Sequence, residues 1–236
     1  MYPEYIIITM AGLGSRFKKC GYSQPKYQII ARDKSLFEWS LMSLSECFTK
    51  STFIFISLES DNAGKFISET NTKLGIKNYI HISLPHLTKG QASTVLAAAP
   101  YINCNDSILI YNIDTYISNN SIIKSIDFNS DGFIPCFNEE GEHWSFVDGD
   151  DNFVAKKVVE KNRISNNCSI GAYFFKKLSF FLEAYANNSS SSNEIYIAPL
   201  YNHLIKTNRI VKFGLINKSN VFVLGTPEEL ELFVTK

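Results

Sequence analysis

The chain has 236 residues, 45% of them hydrophobic, with 23 basic and 23 acidic side chains. That length supports a full core in one domain without disulfides or metals, and the charge balance excludes a general attraction to nucleic acid or to an acidic membrane. Five cysteines (Cys20, Cys47, Cys104, Cys136 and Cys168) lie far apart with no C-x-x-C pair and no metal-ligand spacing, which suits a reducing cytoplasm. The apolar start, Tyr5 to Met10, follows Glu4, lacks a basic flank and is too short for a signal peptide or a membrane span, so a cytoplasmic protein is expected.

Strand-length apolar runs alternate with helix-period segments through the first half. Residues 5–9, 52–57, 79–83 and 107–113 are predicted as buried strands, rich in Ile and Phe. Ser35 and Glu38 form an S-x-x-E capping box, after which Phe37, Leu41, Leu44 and Phe48 share one helical face. A second helix is predicted over 61–74, stopped by Gly75, and a third over 91–99, ended by Pro100. This β-α-β-α order predicts a mainly parallel sheet with helices on both faces.

The second half changes character. Residues 132–137, 144–147, 153–159 and 168–175 are predicted strands joined by short polar turns, and Asp148-Gly149-Asp150-Asp151-Asn152 is a strong hairpin signal. A mixed, partly antiparallel region is therefore expected to complete the sheet and build a second pocket wall. The polar tract 187–193, with four consecutive serines, reads as a surface loop or as a lid. No internal repeat or interdomain linker interrupts the chain.

The first strand runs into Met10-Ala11-Gly12-Leu13-Gly14-Ser15-Arg16-Phe17, and Pro25-Lys26 follow shortly after. Ligands of open α/β sheets bind beyond the carboxyl ends of the strands, which is where this loop falls. Glycines let backbone approach a phosphate, and successive N–H groups form an anion nest. Arg16 adds a guanidinium suited to bidentate phosphate contact, and Lys26 a mobile point charge. A dinucleotide fingerprint fails because Phe17 stands where its third glycine belongs, and the Gly-Lys-Ser/Thr of a Walker loop is absent.

Together with later segments in the same order, this loop resembles the signature of the sugar nucleotidylyltransferase family. Gly90-Gln91-Ala92-Ser93 is similar to its second nucleotide-contacting segment, and Asp114, in Tyr111-Asn112-Ile113-Asp114, to its magnesium-binding aspartate at a strand end. Val159-Glu160-Lys161 resembles the segment whose lysine meets the acceptor phosphate, Gly171-Ala172-Tyr173-Phe174 the acceptor wall, and Gly225-Thr226-Pro227-Glu228-Glu229 the closing motif. The opening loop and His143-Trp144-Ser145-Phe146 look like the capsule-biosynthesis branch, whose nearest activity is that of a CTP:phosphoglutamine cytidylyltransferase.

The resemblance implies a three-layer, Rossmann-like, GT-A-like fold in one domain, with residues 1–128 as the nucleotide half and 129–236 as the acceptor half. It implies a nucleoside triphosphate, CTP favoured, in contact with Met10, Ala11, Gly12, Gly14, Ser15, Arg16, Lys26, Gly90, Gln91, Ala92 and Ser93. It implies a phosphorylated small-molecule acceptor, phosphoglutamine or a sugar phosphate, against Trp144, Glu160, Lys161, Gly171 and Tyr173, and Mg2+ on Asp114. Arg16, Lys26 and Lys161 are the expected catalytic cations, and neither nucleic acid nor membrane is an expected partner.

One position departs from the pattern. Many family members carry a second metal-binding aspartate two residues before the closing Gly-Thr, where this chain has Val223, and valine offers no oxygen to a hard cation. Either Asp114 acts with phosphates and waters, or Glu194, Asp148 or Asp150 substitutes. The four histidines, His81, His86, His143 and His203, show no metal spacing, and none is needed as a base because the attacking phosphate is already anionic. Two other classes compete: a GT-A glycosyltransferase, which would usually carry Asp-x-Asp where this chain has Asp114-Thr115-Tyr116, and a nucleotide-binding pseudoenzyme, to which Val223 lends weight.

Overall fold

A computed structural model describes residues 1–188 and 194–235. The tract expected to be a loop or lid over 187–193 therefore falls, from 189 to 193, outside the described residues.

Strand β1 (Tyr5–Thr9) leads through the glycine loop into the short helix α1 (Ser15–Lys19). A small ladder of β2 (Ile30–Ala31) and β3 (Lys34–Ser35) precedes α2 (Leu36–Met42). Strand β4 (Thr52–Leu58), helix α3 (Gly64–Leu74), β5 (Tyr79–Leu84), α4 (Gln91–Val95) and β6 (Ile108–Asn112) complete the alternating half. After β7 (Thr115–Ile117) and α5 (Ser121–Ser125) come β8 (Gly132–Asn138), β9 (Ser145–Gly149), β10 (Ala155–Glu160), β11 (Asn167–Ser169) and β12 (Ala172–Phe175). Helices α6 (Leu178–Ala186) and α7 (Tyr201–Lys206), strands β13 (Val211–Leu215) and β14 (Val221–Val223), and α8 (Pro227–Thr235) close the chain.

Among the described residues, ten strands form one mixed sheet, ordered β10-β9-β11-β8-β12-β6-β1-β4-β5, with β13 branching from β8. The run β6-β1-β4-β5 is parallel, and β12 joins it antiparallel to β6. Residues beyond 128 thus extend the sheet begun by residues before it. The continuous apolar runs follow from burial on both faces. Ile6 and Ile8 of β1, with Phe53 and Phe55 of β4, enter one core with Leu41 of α2 and Ile67 of α3. Ile7, Ile54 and Ile56 enter the opposite core with Val95 of α4 and Phe181 of α6. Three layers result, as expected.

Local signals act where the sequence places them. Gly75 adopts φ +79 and ends α3. Helix α4 is shorter than predicted: after Val95 the chain tightens into a 3₁₀ turn, Leu96–Tyr101, that contains Pro100. The strand predicted over 168–175 is broken into β11 and β12 at Gly171, whose φ is +79.

At α2, Ser35 Oγ accepts from the Glu38 N–H at 3.2 Å, while the Ser35 N–H and hydroxyl both donate to the Glu38 carboxylate at 2.8 Å. Lys73 of α3 reaches the same carboxylate at 2.6 Å, which ties the two helices together. Burial opposes ionisation of Glu38, but the bonds from Lys73 and Ser35 together hold its carboxyl below its usual value of 4.5. This stabilisation is present above pH 4.5 and is lost as pH falls through the lowered value. Ser35→Ala should lower stability in urea by about 1–2 kcal/mol at neutral pH without changing the m-value. The gap to the wild type should narrow on acidification; a gap independent of pH would contradict the role given to the Glu38 carboxylate.

Candidate active site

Parallel pairing of β1 with β6 sets Thr9 opposite Asn112, so the loops after both strands open side by side. They border a cavity of about 750 Å³. Met10, Ala11, Gly12, Gly14, Ser15, Arg16, Lys26, Gly90, Gln91 and Asp114 all line it, along with Lys89, Thr88 and Asn112, which sequence reasoning did not single out. Gly14 takes φ +60 at the start of α1, and a β-carbon there would sit 3.3 Å from Lys26 Cβ. The Arg16 side chain is exposed and makes no hydrogen bond or salt bridge among the described residues, although its charge adds to the backbone and Thr226 hydrogen bonds that hold the Glu228 carboxyl below its usual value. Ala92 and Ser93 do not line the cavity: Ala92 is fully buried in the core, and the Ser93 hydroxyl lies 2.9 Å from that of Tyr185.

A second cavity of about 260 Å³ is walled by Trp144, Glu160, Gly171 and Tyr173, with His143, Ser145 and Tyr196. It shares Arg16, Gln91, Asn112, Asp114, Glu194 and Gly225 with the first, so the two are halves of one cleft. Trp144 packs edge-on against Phe137 at 5.2 Å and donates its indole N–H to the Glu140 carbonyl, which makes it a fixed wall. Glu160 bonds the Ser145 hydroxyl, and burial pushes its carboxyl up. Burial also pushes the Tyr173 hydroxyl up to about 12.

Lys161, the expected acceptor lysine, is exposed in a left-handed conformation, φ +52, lines neither cavity and makes no salt bridge with Glu160; it reaches the cleft only through Tyr196. Its ammonium donates to the Tyr196 hydroxyl at 2.7 Å, a bond that raises its pKa, and Tyr196 donates in turn to Glu194. Tyr196 carried no sequence signal, since it follows the serine tract with no motif around it.

Asp114 lies in the turn after β6 rather than within the strand. Lys26 Nζ donates to its Oδ2 at 2.6 Å and to the Gly225 carbonyl at 3.2 Å. Gly225 arrives because β14 pairs antiparallel with β7, Val223 opposite Thr115, and the Leu224 N–H donates to the Asp114 carbonyl at 2.8 Å. Behind it, Phe17, Trp39, Leu224, Leu230 and Phe233 form a third core that fastens α8 to α1 and α2. Val223 lines the smaller cavity, as does Glu229 of α8. Of the substitutes for the missing aspartate, Glu194 lines both cavities, whereas Asp148 and Asp150 line neither; Asp150 Oδ1 instead holds the hairpin turn, accepting from the Asn152 and Val154 N–H groups.

The same architecture recurs in solved structures. The nucleoside-diphosphate-sugar pyrophosphorylase from Vibrio cholerae RC9 is 35% identical, with a TM-score of 0.89, over 98% of this chain and 100% of its own. The chain belongs to the sugar nucleotidylyltransferase family. The inositol-1-phosphate CTP transferase from T. maritima (16% identical, TM-score 0.79, 98% of this chain and 95% of its own) shares the fold. So does HddC from Yersinia pseudotuberculosis (19% identical, TM-score 0.71, 100% of this chain and 99% of its own). No protein-family model matches the chain, and no curated protein does. No helix among the described residues of this family member is long and apolar enough to cross a membrane.

Where the two halves of the cleft meet, Gln91 Nε2 donates to Thr9 Oγ1 at 2.9 Å and to Asn112 Oδ1 at 2.7 Å. Asn112 fills the space a β-carbon on Gly171 would need, 2.3 Å from its Nδ2. Gly171→Ala should therefore cost about 1–3 kcal/mol in stability through the left-handed strain alone. It should also displace Asn112 from Gln91 in a crystal structure of the variant. Unchanged stability, with the Asn112–Gln91 bond intact, would contradict this account of the break between β11 and β12.

Proposed function

We propose that the protein is a magnesium-dependent nucleotidylyltransferase that joins a nucleoside triphosphate, CTP favoured, to a phosphorylated small molecule and releases pyrophosphate. The acceptor is phosphoglutamine or a sugar phosphate, and the product is a precursor for capsular polysaccharide. The observation that carries this reading is the two-part cleft with Arg16 and Asp114 lining both halves and Lys26 on Asp114. Membership of the family supports the reaction class. The choice of CTP and of the acceptor rests on the likeness of the opening loop and of His143-Trp144-Ser145-Phe146 to the capsule branch.

Two polyanions must meet in this reaction. An oxygen of the acceptor phosphate attacks the α-phosphorus, the bond from that phosphorus to the α,β-bridging oxygen breaks, and the bonding pair leaves with pyrophosphate. The attacking oxygen is anionic at neutral pH, so no general base is required, and catalysis reduces to positioning and charge compensation. Arg16 grips phosphate oxygens from the open side of the glycine loop. Lys26, on its flexible stem, is shared between Asp114 and the triphosphate. The carboxylates of Asp114 and Glu229 near Gly225 give an oxygen donor set suited to magnesium, and one of their oxygens, Glu229 Oε2, is buried without a hydrogen-bond partner among the described residues. Asp114 would hold the ion, whose charge, when bound, polarises the α-phosphate and offsets that of the leaving group.

Lys161 serves the other half. Tethered to Tyr196, a wall residue of the smaller cavity, its ammonium meets the acceptor phosphate as it enters. Glu160, buried on the wall, accepts hydrogen bonds from hydroxyl or amide groups of the acceptor.

A matrix of nucleoside triphosphates against phosphorylated acceptors, read by pyrophosphate release, tests the reading. Magnesium-dependent release with CTP and phosphoglutamine or a sugar phosphate is expected, and silence across the matrix would contradict it. In the active pair, Lys161→Ala should raise KM for the acceptor and lower kcat while leaving calorimetric affinity for the triphosphate nearly unchanged. A large loss of triphosphate affinity with acceptor KM intact would overturn this division of the cleft.

A further inference from the structure

Glu229 sits in the first turn of α8, three residues after Thr226, in the spacing of a helix cap. Its backbone N–H does donate to the Thr226 hydroxyl, at 3.2 Å. The carboxylate does something else: Oε2 is shielded from solvent and has no hydrogen-bond partner among the described residues. A carboxylate oxygen taken from water and left unmatched is destabilising, so folded proteins rarely keep one without an occupant for it.

Gly225 defines where that oxygen points. A β-carbon built on Gly225 would lie 3.2 Å from Glu229 Oε2, 3.5 Å from Asp114 Oδ2 and 3.8 Å from Lys26 Nζ. Two carboxylates and one ammonium converge on the face of a residue that has no side chain. The ammonium is committed to Asp114 and to the Gly225 carbonyl, at 2.6 and 3.2 Å, which leaves Glu229 Oε2 without a donor among the described residues. Val223 faces the same cavity with an aliphatic side chain. Glu194 already takes the Tyr196 hydroxyl, and Asp148 and Asp150 lie outside the cleft.

We propose that Glu229, reaching in from α8, supplies with Asp114 the protein carboxylates of a divalent-cation site at the seam of the cleft, in place of a carboxylate at Val223. This rests on the reading of the cleft as a nucleotidyl-transfer site. It assigns Gly225 a role as well, since any side chain there would fill the space between the two carboxylates. Magnesium is held by one or two carboxylates together with phosphate oxygens and waters, and this pair meets that requirement with the donors the chain has.

The test is Mn2+ binding, read by the loss of the free-ion signal in electron paramagnetic resonance, with and without α,β-methylene analogues of the common nucleoside triphosphates, which bind but do not transfer. Glu229→Gln should weaken Mn2+ binding by about tenfold or more, a loss that even the outer partners of a metal site can cause. Its melting temperature in EDTA should equal or exceed that of the wild type, because the variant no longer keeps a desolvated carboxylate oxygen without a donor. Adding Val223→Asp to Glu229→Gln should recover most of the affinity. Wild-type affinity in Glu229→Gln, with affinity lost in Asp114→Asn, would overturn the proposal and leave the nucleotidyl-transfer reading standing. A lower melting temperature of Glu229→Gln in EDTA would also overturn it, since the carboxylate would then have a structural partner. Wild-type protein that binds neither Mn2+ nor any analogue would bring down both readings.

Discussion

The contact between Lys26 and Asp114 ties together segments that the sequence keeps far apart. At 2.6 Å, with side chains only 16% and 29% exposed, it joins the turn after β6 to the segment that follows the glycine loop, and through the Gly225 carbonyl to the end of the chain. An ammonium placed there compensates charge that a partly buried site tolerates poorly. The rest of the site is arranged around that point. The parallel strands β1 and β6 deliver the two loops, the β14–β7 ladder delivers Gly225, and the aromatic cluster of Trp39, Tyr116, Phe222 and Phe233 anchors α8. In the proposed reaction the same lysine serves both the carboxylates and the phosphates, which sets the boundary between nucleotide and acceptor.

That boundary follows from the sheet. Strands β1, β4, β5 and β6 run parallel, so their carboxyl ends open on one side, and β12, running the opposite way beside β6, starts there at Ala172, directly after Gly171. One half of the cleft is thus built from the ends of parallel strands, and the other from the start of β9 with the ends of β10 and β11. Gln91 and Asn112 span the junction with side-chain amides, which carry no charge and let polar groups pack close without adding repulsion.

Much of this was legible in the sequence where the signal is local. The apolar run of β1, the capping box at Ser35 and the stop at Gly75 depend on residues a few positions apart, and the structure has them where the pattern puts them. The glycine loop was legible because few other needs place Gly12, Gly14, Arg16 and Lys26 after a buried strand. Non-local effects were not. Residues 168–175 read as one strand because nothing nearby announces that Asn112 will occupy the side-chain space of Gly171. Ser93 looked like part of a nucleotide segment, yet the turn of α4 carries it toward Tyr185. Glu229 hid behind a spacing that a helix cap explains, and only the approach of Gly225 to Asp114 distinguishes it.

The central claim is transfer of the nucleotidyl group, and the fate of the α-phosphate tests it most directly. A triphosphate labelled at the α-phosphorus and, separately, at the γ-phosphorus would be turned over with magnesium and the active acceptor. The account predicts that the α label appears in a new diphosphate-linked product and the γ label in pyrophosphate, in equal amounts. The γ label in orthophosphate or on the acceptor, with the α label left in nucleoside diphosphate, would mean a different bond is broken and would contradict the account.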